Sequence, residues 1–151
     1  GDALRQELLR RGARGSLVLG NSLGGFLALV HHLQLGTADG YVPLFAGPDI
    51  AHVILSTHYS RFVAPAVLAQ PQAIQAALNY REAFQASDTR RVFPLLARYD
   101  LDMLYAYHAT CYAVCHLPVV TIERGHLTGA LAFAALRAHI LTCLQTVIPT
   151  T

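Results

Sequence analysis

The sequence predicts an α/β fold, a parallel sheet of about four strands with helices on both faces. Short, continuously apolar runs recur along the chain at residues 16–19, 41–45, 91–96 and 119–122, and a helical pattern separates each run from the next. Helical crossovers bury both faces of a parallel sheet, so its strands read as unbroken hydrophobic segments instead of alternating ones. Composition agrees: 54% of the 151 residues are hydrophobic and 13% are charged, with a mean hydropathy of +0.39. Such a chain has enough apolar material for one core and too little charge for disorder, so residues 1–151 are expected to form a single domain.

Leu4, Leu8 and Leu9 recur at helical spacing from Asp2, and Gly12 and Gly15 end that pattern before the first apolar run. Residues 26–35 read as a helix rich in Ala and Leu, stopped by Gly36. The run 41–45 reads as a buried strand despite Pro43, and Gly47-Pro48-Asp49 as the turn after it. Residues 52–68 carry no clear period. A helix is expected over 70–84, starting at Pro71, then a strand at 91–96, a helix over 101–114, a strand at 119–122 and a long helix over 127–144. Right-handed crossovers would bring the C-terminal ends of these strands to one rim, where open α/β sheets bind ligands.

Several function classes are excluded or disfavoured. Eleven basic and nine acidic residues leave a net charge of +2, too small and too dispersed for a phosphate-tracking surface, so nucleic acid is not expected as a partner. No stretch reaches the roughly 18 apolar residues of a membrane span; the greasiest, 127–140, is interrupted by Arg137 and His139. Three cysteines without a framework point to a reducing, cytoplasmic compartment, and the absence of a signal-peptide pattern agrees. Cys111, Cys115 and His116 resemble zinc ligands, but no second ligand pair stands at zinc spacing, so neither a metal nor a cofactor is expected.

The segment that carries chemistry is Gly20-Asn21-Ser22-Leu23-Gly24, a G-x-S-x-G between a buried strand and a helix. In a nucleophile elbow the serine occupies a strained turn, and the glycines two before and two after it are expected to keep side chains clear of the neighbouring strand and helix. The turn places Ser22 Oγ at a helix N-terminus, where the N–H of Leu23 would donate to a developing oxyanion. The competing reading is a turn whose glycines only permit close packing, or one that binds phosphate at the helix N-terminus. A serine hydroxyl needs a base, and in this fold acid and histidine follow the serine in that order. Asp100 falls after the third apolar run and His126 after the fourth, so both reach the rim that carries Ser22. Asp102 competes for the acid role; Asp100 is preferred as the loop residue, Asp102 being placed to favour a helix N-terminus.

With Gly20-Asn21-Ser22-Leu23-Gly24-Gly25-Phe26, Leu95-Leu96-Ala97-Arg98-Tyr99-Asp100 and the stretch from Val119 to His126, the chain resembles the YqiA/YcfP-like family of α/β-hydrolases over nearly its whole length. The resemblance implies an esterase-like enzyme with Ser22 as nucleophile, His126 as general base and Asp100 as its orienting acid. Two departures stand out. The acid loop reads Tyr99-Asp100 where the family commonly has Gly-Asp, and the family's N-terminal stretch, with the first sheet strands and the loop that supplies a second oxyanion N–H, is not seen. The chain is therefore expected to lack an N-terminal part and to leave the strand before Ser22 as a sheet edge. The expected function is hydrolysis of small acyl esters or thioesters through an acyl-enzyme; the alternative is a non-catalytic α/β module that binds a phosphate-bearing ligand or a protein partner. Acyl length and oligomeric state are not legible.

Overall fold

The computed structural model describes residues 2–148 and contains a parallel sheet of four strands in the order β1 (Leu17–Asn21), β2 (Gly40–Leu44), β3 (Leu95–Ala97) and β4 (Val120–Ile122). Helix α1 (Asp2–Arg10) precedes β1, and α2 (Leu23–Gln34) crosses from β1 to β2. Between β2 and β3 lie α3 (Ile50–Ser56), a 3-10 turn (His58–Phe62), α4 (Pro65–Leu68), α5 (Pro71–Leu78), α6 (Arg81–Gln85) and a second 3-10 turn (Thr89–Arg91). Helix α7 (Tyr105–Ala113) joins β3 to β4, and α8 (His126–Ala130) and α9 (Phe133–Val147) close the fold. The expected α/β architecture is present. No helix among the described residues is long and apolar enough to cross a membrane.

Alternate residues of the strands feed two cores. On one face Leu29 of α2, Phe84 of α6 and Tyr112 of α7 pack with Tyr41 and Leu96; on the other, Cys143 and Leu136 of α9 pack with Val42, Leu44 and Leu95. Every residue of β2 is buried, which explains its continuously apolar reading, whereas β1 is a sheet edge with Leu19 49% exposed. Pro43 is tolerated in this central strand because of where its missing N–H points. Tyr41 and Phe45, of the same parity, both bond towards the β3 side, and there the ladder is already interrupted: Phe93 N–H reaches Tyr41, Phe45 N–H reaches Leu95, and Pro94 lies between.

Several expected elements are shorter than the apolar pattern. The strand expected at 91–96 narrows to Leu95–Ala97, with an isolated bridge at Val92, since Pro94 has no N–H for a ladder. The helix expected over 70–84 breaks after Leu78: Asn79 pairs with Asp49, Tyr80 N–H donates to the carbonyl of Pro48 (2.8 Å), and the Asn79 side chain caps Arg81 N–H (3.0 Å). The helix expected over 101–114 begins only at Tyr105, after a turn in which Leu104 has a φ of 44°. The helix expected over 127–144 is two helices, α8 and α9, parted at Leu131-Ala132.

Candidate active site

At the end of β1 the chain reverses sharply into α2. Ser22 has φ 56° and ψ −121°, the conformation of the first central residue of a type II′ turn, which side chains rarely adopt. Its N–H donates to Leu44 O (2.9 Å), so the strand next door holds the turn, and its carbonyl accepts from Gly25 and Phe26 as α2 begins. A Cβ on Gly20 would meet the backbone carbonyl of Gly24, so the first glycine of the motif is sterically required. The second spacer is Gly25, not Gly24 as the pentapeptide implies. A Cβ on Gly24 would meet nothing within 4 Å, whereas one on Gly25 would lie 2.7 Å from Ala46 Cβ and 3.0 Å from the carbonyls of Gly20 and Leu44. Leu23 is the first residue of α2, so its N–H has no acceptor within the helix and stands beside the serine.

Asp100 and His126 arrive at the same rim from β3 and β4. Backbone bonds from Arg98 N–H to Ile122 O (2.8 Å) and from Tyr99 N–H to Arg124 O (2.9 Å) carry the sheet beyond the strand ends and tie the two loops together. Asp100, 5% exposed, accepts from the N–H groups of Asp102 (2.9 Å) and Met103 (2.8 Å) through Oδ1, and from His126 Nδ1–H (2.6 Å) through Oδ2. His126 opens α8, and its Nε2 accepts from the Ser22 hydroxyl at 3.0 Å. Beneath the imidazole lies the buried ring of Phe45, edge-on with centroids 6.1 Å apart. The hydrogen bond to Asp100 raises the His126 pKa above the ordinary histidine value, against the opposing effect of burial, and the charges of Asp100 and Asp102 add to the rise.

The sequence left two acids open, and the structure separates them by environment. Asp102 makes no hydrogen bond to His126; its Oδ1 lies 3.4 Å from Nε2 of His58, in the 3-10 turn over the site. Among the described residues, Asp100, Asp102 and His126 have metal-ligand composition with ligating atoms within 4.8 Å of one another, but both ring nitrogens of His126 and both carboxylate oxygens of Asp100 are engaged by protein groups. Cys111 is buried in α7 with its thiol pKa pushed up to about 11 by that burial, and Cys115 bonds back to the Cys111 carbonyl. His31 and His32 tilt against the Tyr41 ring, and His52 stacks on Tyr107 at 3.8 Å.

The segment that showed no period in the sequence supplies a cover for the site. Asp49 caps α3 by accepting from His52 N–H (2.9 Å), and Thr57 caps the 3-10 turn by accepting from Tyr59 N–H (3.2 Å). Together with α2 and Met103 these pieces enclose a cleft of about 370 Å³ that starts at Ser22 and Leu23 and is walled by apolar side chains, among them Phe26, Ile50, Val53, Ile54 and Phe62. Met103 and the cleft residues of α3 and the 3-10 turn went unrecognised in the sequence, where short elements leave no periodic signal.

No family model matches the chain, and no curated protein matches it in sequence. Solved structures do match it in fold. A hydrolase from Pseudomonas aeruginosa superposes with a TM-score of 0.58 at 19% identity, over 95% of this chain and 70% of that one. A protein from Thermus thermophilus gives 0.56 at 22%, over 93% of this chain and 59% of that one. A structure from work on carboxylesterases of the thaumarchaeon Nitrososphaera gargenis gives 0.55 at 14%, over 97% and 72%. At these identities the likeness is one of fold, and the fold is that of the α/β-hydrolases, here with a sheet of four parallel strands among the described residues.

Proposed function

We propose that this chain is a serine hydrolase of the carboxylesterase or thioesterase type, of the YqiA/YcfP-like kind, working through an acyl-enzyme. The observation that carries the reading is the continuous hydrogen-bonded line from Ser22 Oγ through both ring nitrogens of His126 to the buried carboxylate of Asp100. A serine beside an unengaged imidazole would be a weak nucleophile; here the base is in reach and its other nitrogen is held by a carboxylate that is itself fixed by two N–H groups.

As Ser22 Oγ bonds to the carbonyl carbon, its proton passes to His126 Nε2. Asp100 keeps the Nδ1–H tautomer in place and stabilises the imidazolium that forms. The carbonyl oxygen takes up negative charge beside the N–H of Leu23 and the N-terminus of α2. Collapse breaks the bond to the leaving oxygen or sulfur, which takes the proton from His126. Water then attacks the acyl-enzyme with His126 again as base and releases the acid and free Ser22.

The experiment is labelling with a fluorophosphonate, which phosphonylates activated serines, beside Ser22→Ala and an ester-hydrolysis assay. Labelling and turnover that vanish together in the variant are the expected result. A folded wild-type protein that neither labels nor turns over esters overturns the reading.

A further inference from the structure

Ser22 is shared by the apolar cleft and the proton acceptor, and this assigns the two halves of a substrate. Ser22 and Leu23 border the cleft, while His126 is not on its wall. In the reaction proposed above, on which this inference rests, His126 must hand a proton to the leaving group, so the leaving group faces the imidazole. The acyl group remains on the serine beside Leu23 and has the cleft in front of it. Tyr99, Leu101 and Leu127, which flank the acid and the histidine, are exposed, so a leaving group beside the imidazole meets side chains open to solvent.

We propose that the cleft is the acyl site for an uncharged, unbranched chain of roughly six to ten carbons, and that selectivity resides in the acyl half of the substrate and not in its alcohol or thiol half. Size sets the range. A methylene occupies about the volume of a liquid water molecule, roughly 30 Å³, so about 370 Å³ holds on the order of ten such groups when the mouth is included. Chemistry sets the charge. Among the described residues, the hydroxyls of Ser22 and Tyr59 and the weakly accepting Met103 sulfur are the only side-chain heteroatoms on the wall, so a carboxylate- or amine-bearing acyl chain would be buried without a charged partner. The wall comes mainly from α2, α3 and the 3-10 turn, with Leu78 of α5 and Met103, and Ile54 of α3, half-buried on it, is placed to tune chain length.

The test is a series of p-nitrophenyl esters from acetate to palmitate, followed by octanoyl esters of ethanol, butanol and hexanol, with rates expressed per serine labelled by fluorophosphonate. Full burial of one methylene corresponds to about a fourfold gain in kcat/KM; for a half-open cleft the expected advantage of octanoate over acetate is about tenfold to hundredfold, falling beyond about ten carbons. The three alcohols should differ by less than about threefold. Ile54→Trp should move the optimum to shorter chains, and Ile54→Ala to longer ones. A labelled enzyme with a flat or acetate-preferring profile overturns the acyl assignment and leaves the serine-hydrolase reading standing. Selectivity that follows alcohol length, unmoved by both Ile54 variants, overturns it in favour of a leaving-group cleft. Absence of both labelling and turnover overturns the two proposals together.

Discussion

Gly20 is packed so tightly against Gly24 that a Cβ on the first would fall on the backbone carbonyl of the second. The crossing of β1 and α2 at this point decides which glycines of the turn are replaceable. Gly20→Ala and Gly25→Ala force backbone or Ala46 to move, and each is expected to cost about 3 kcal/mol or more and to displace Ser22. Gly24→Ala meets nothing and lies inside a helix, so it should be neutral or stabilising by up to about 1 kcal/mol. Denaturant unfolding of the three variants checks the order.

Ser22 holds a backbone conformation that belongs to glycine, with φ at 56°. Strain of this kind costs about 1–3 kcal/mol, and it is removed when the Cβ is removed. Ser22→Gly should therefore be more stable than Ser22→Ala by about 1 kcal/mol, the extra backbone entropy of glycine offsetting part of the relief. Both should lose ester hydrolysis by about 10⁴-fold or more. Equal melting temperatures for the two variants would show that the turn is unstrained.

Activity through His126 requires the neutral imidazole, and its pKa lies above the ordinary histidine value because Asp100 stabilises the charged form. The acid limb of kcat/KM should thus have its midpoint above about 6.5. Asp100→Asn removes the negative charge, so the midpoint should fall while the plateau drops by roughly 10³–10⁴-fold as the tautomer and orientation are lost. Asp102→Asn should leave most of the plateau, since Asp102 faces His58, and lower the midpoint only slightly. A plateau that collapses in Asp102→Asn and survives in Asp100→Asn would exchange the two roles.

How much of this was legible depended on whether a residue type was forced by backbone geometry or chosen by packing. The turn at Ser22 was legible because its conformation and close crossing admit few residues, yet the pentapeptide put the second steric constraint on Gly24 when it falls on Gly25. The buried strands were legible as apolar runs, but β3 was displaced because Pro94 interrupts the ladder without interrupting hydrophobicity. Asp100 and Asp102 could not be separated by position; their difference is that one carboxylate is buried against His126 and the other reaches the 3-10 turn. The side chains that cover the cleft could not be picked out because α3 and the 3-10 turn, of seven and five residues, are too short to display a period. The break between α8 and α9 follows Gly129 by two residues, but that glycine lies inside α8 and the apolar pattern runs across the break without interruption.

His108 of α7 couples stability to pH although it is among the most buried side chains. It is 1% exposed, Gly47 lies against its ring, and neither ring nitrogen has a hydrogen-bond partner. Burial pushes its pKa down to about 4; the charges of Asp49 and Asp100 oppose the shift and His52 adds to it. The folded state therefore keeps this imidazole neutral while the unfolded chain takes up a proton near pH 6.5. Above that pH both states are neutral and the group contributes nothing to the pH dependence. Between pH 6.5 and about 4 the unfolded state binds more protons, so stability falls as pH falls, by up to about 1.4 kcal/mol per pH unit. His126 acts in another window and with the opposite sign: its raised pKa adds stability that is present below pH 6.5 and lost as pH rises through its folded value. His108→Leu removes the first effect only. Urea unfolding at pH 7 and pH 5 should show the wild-type protein losing about 2 kcal/mol more than the variant over that interval. Parallel losses in the two proteins would mean that water reaches the ring and that His108 titrates in place.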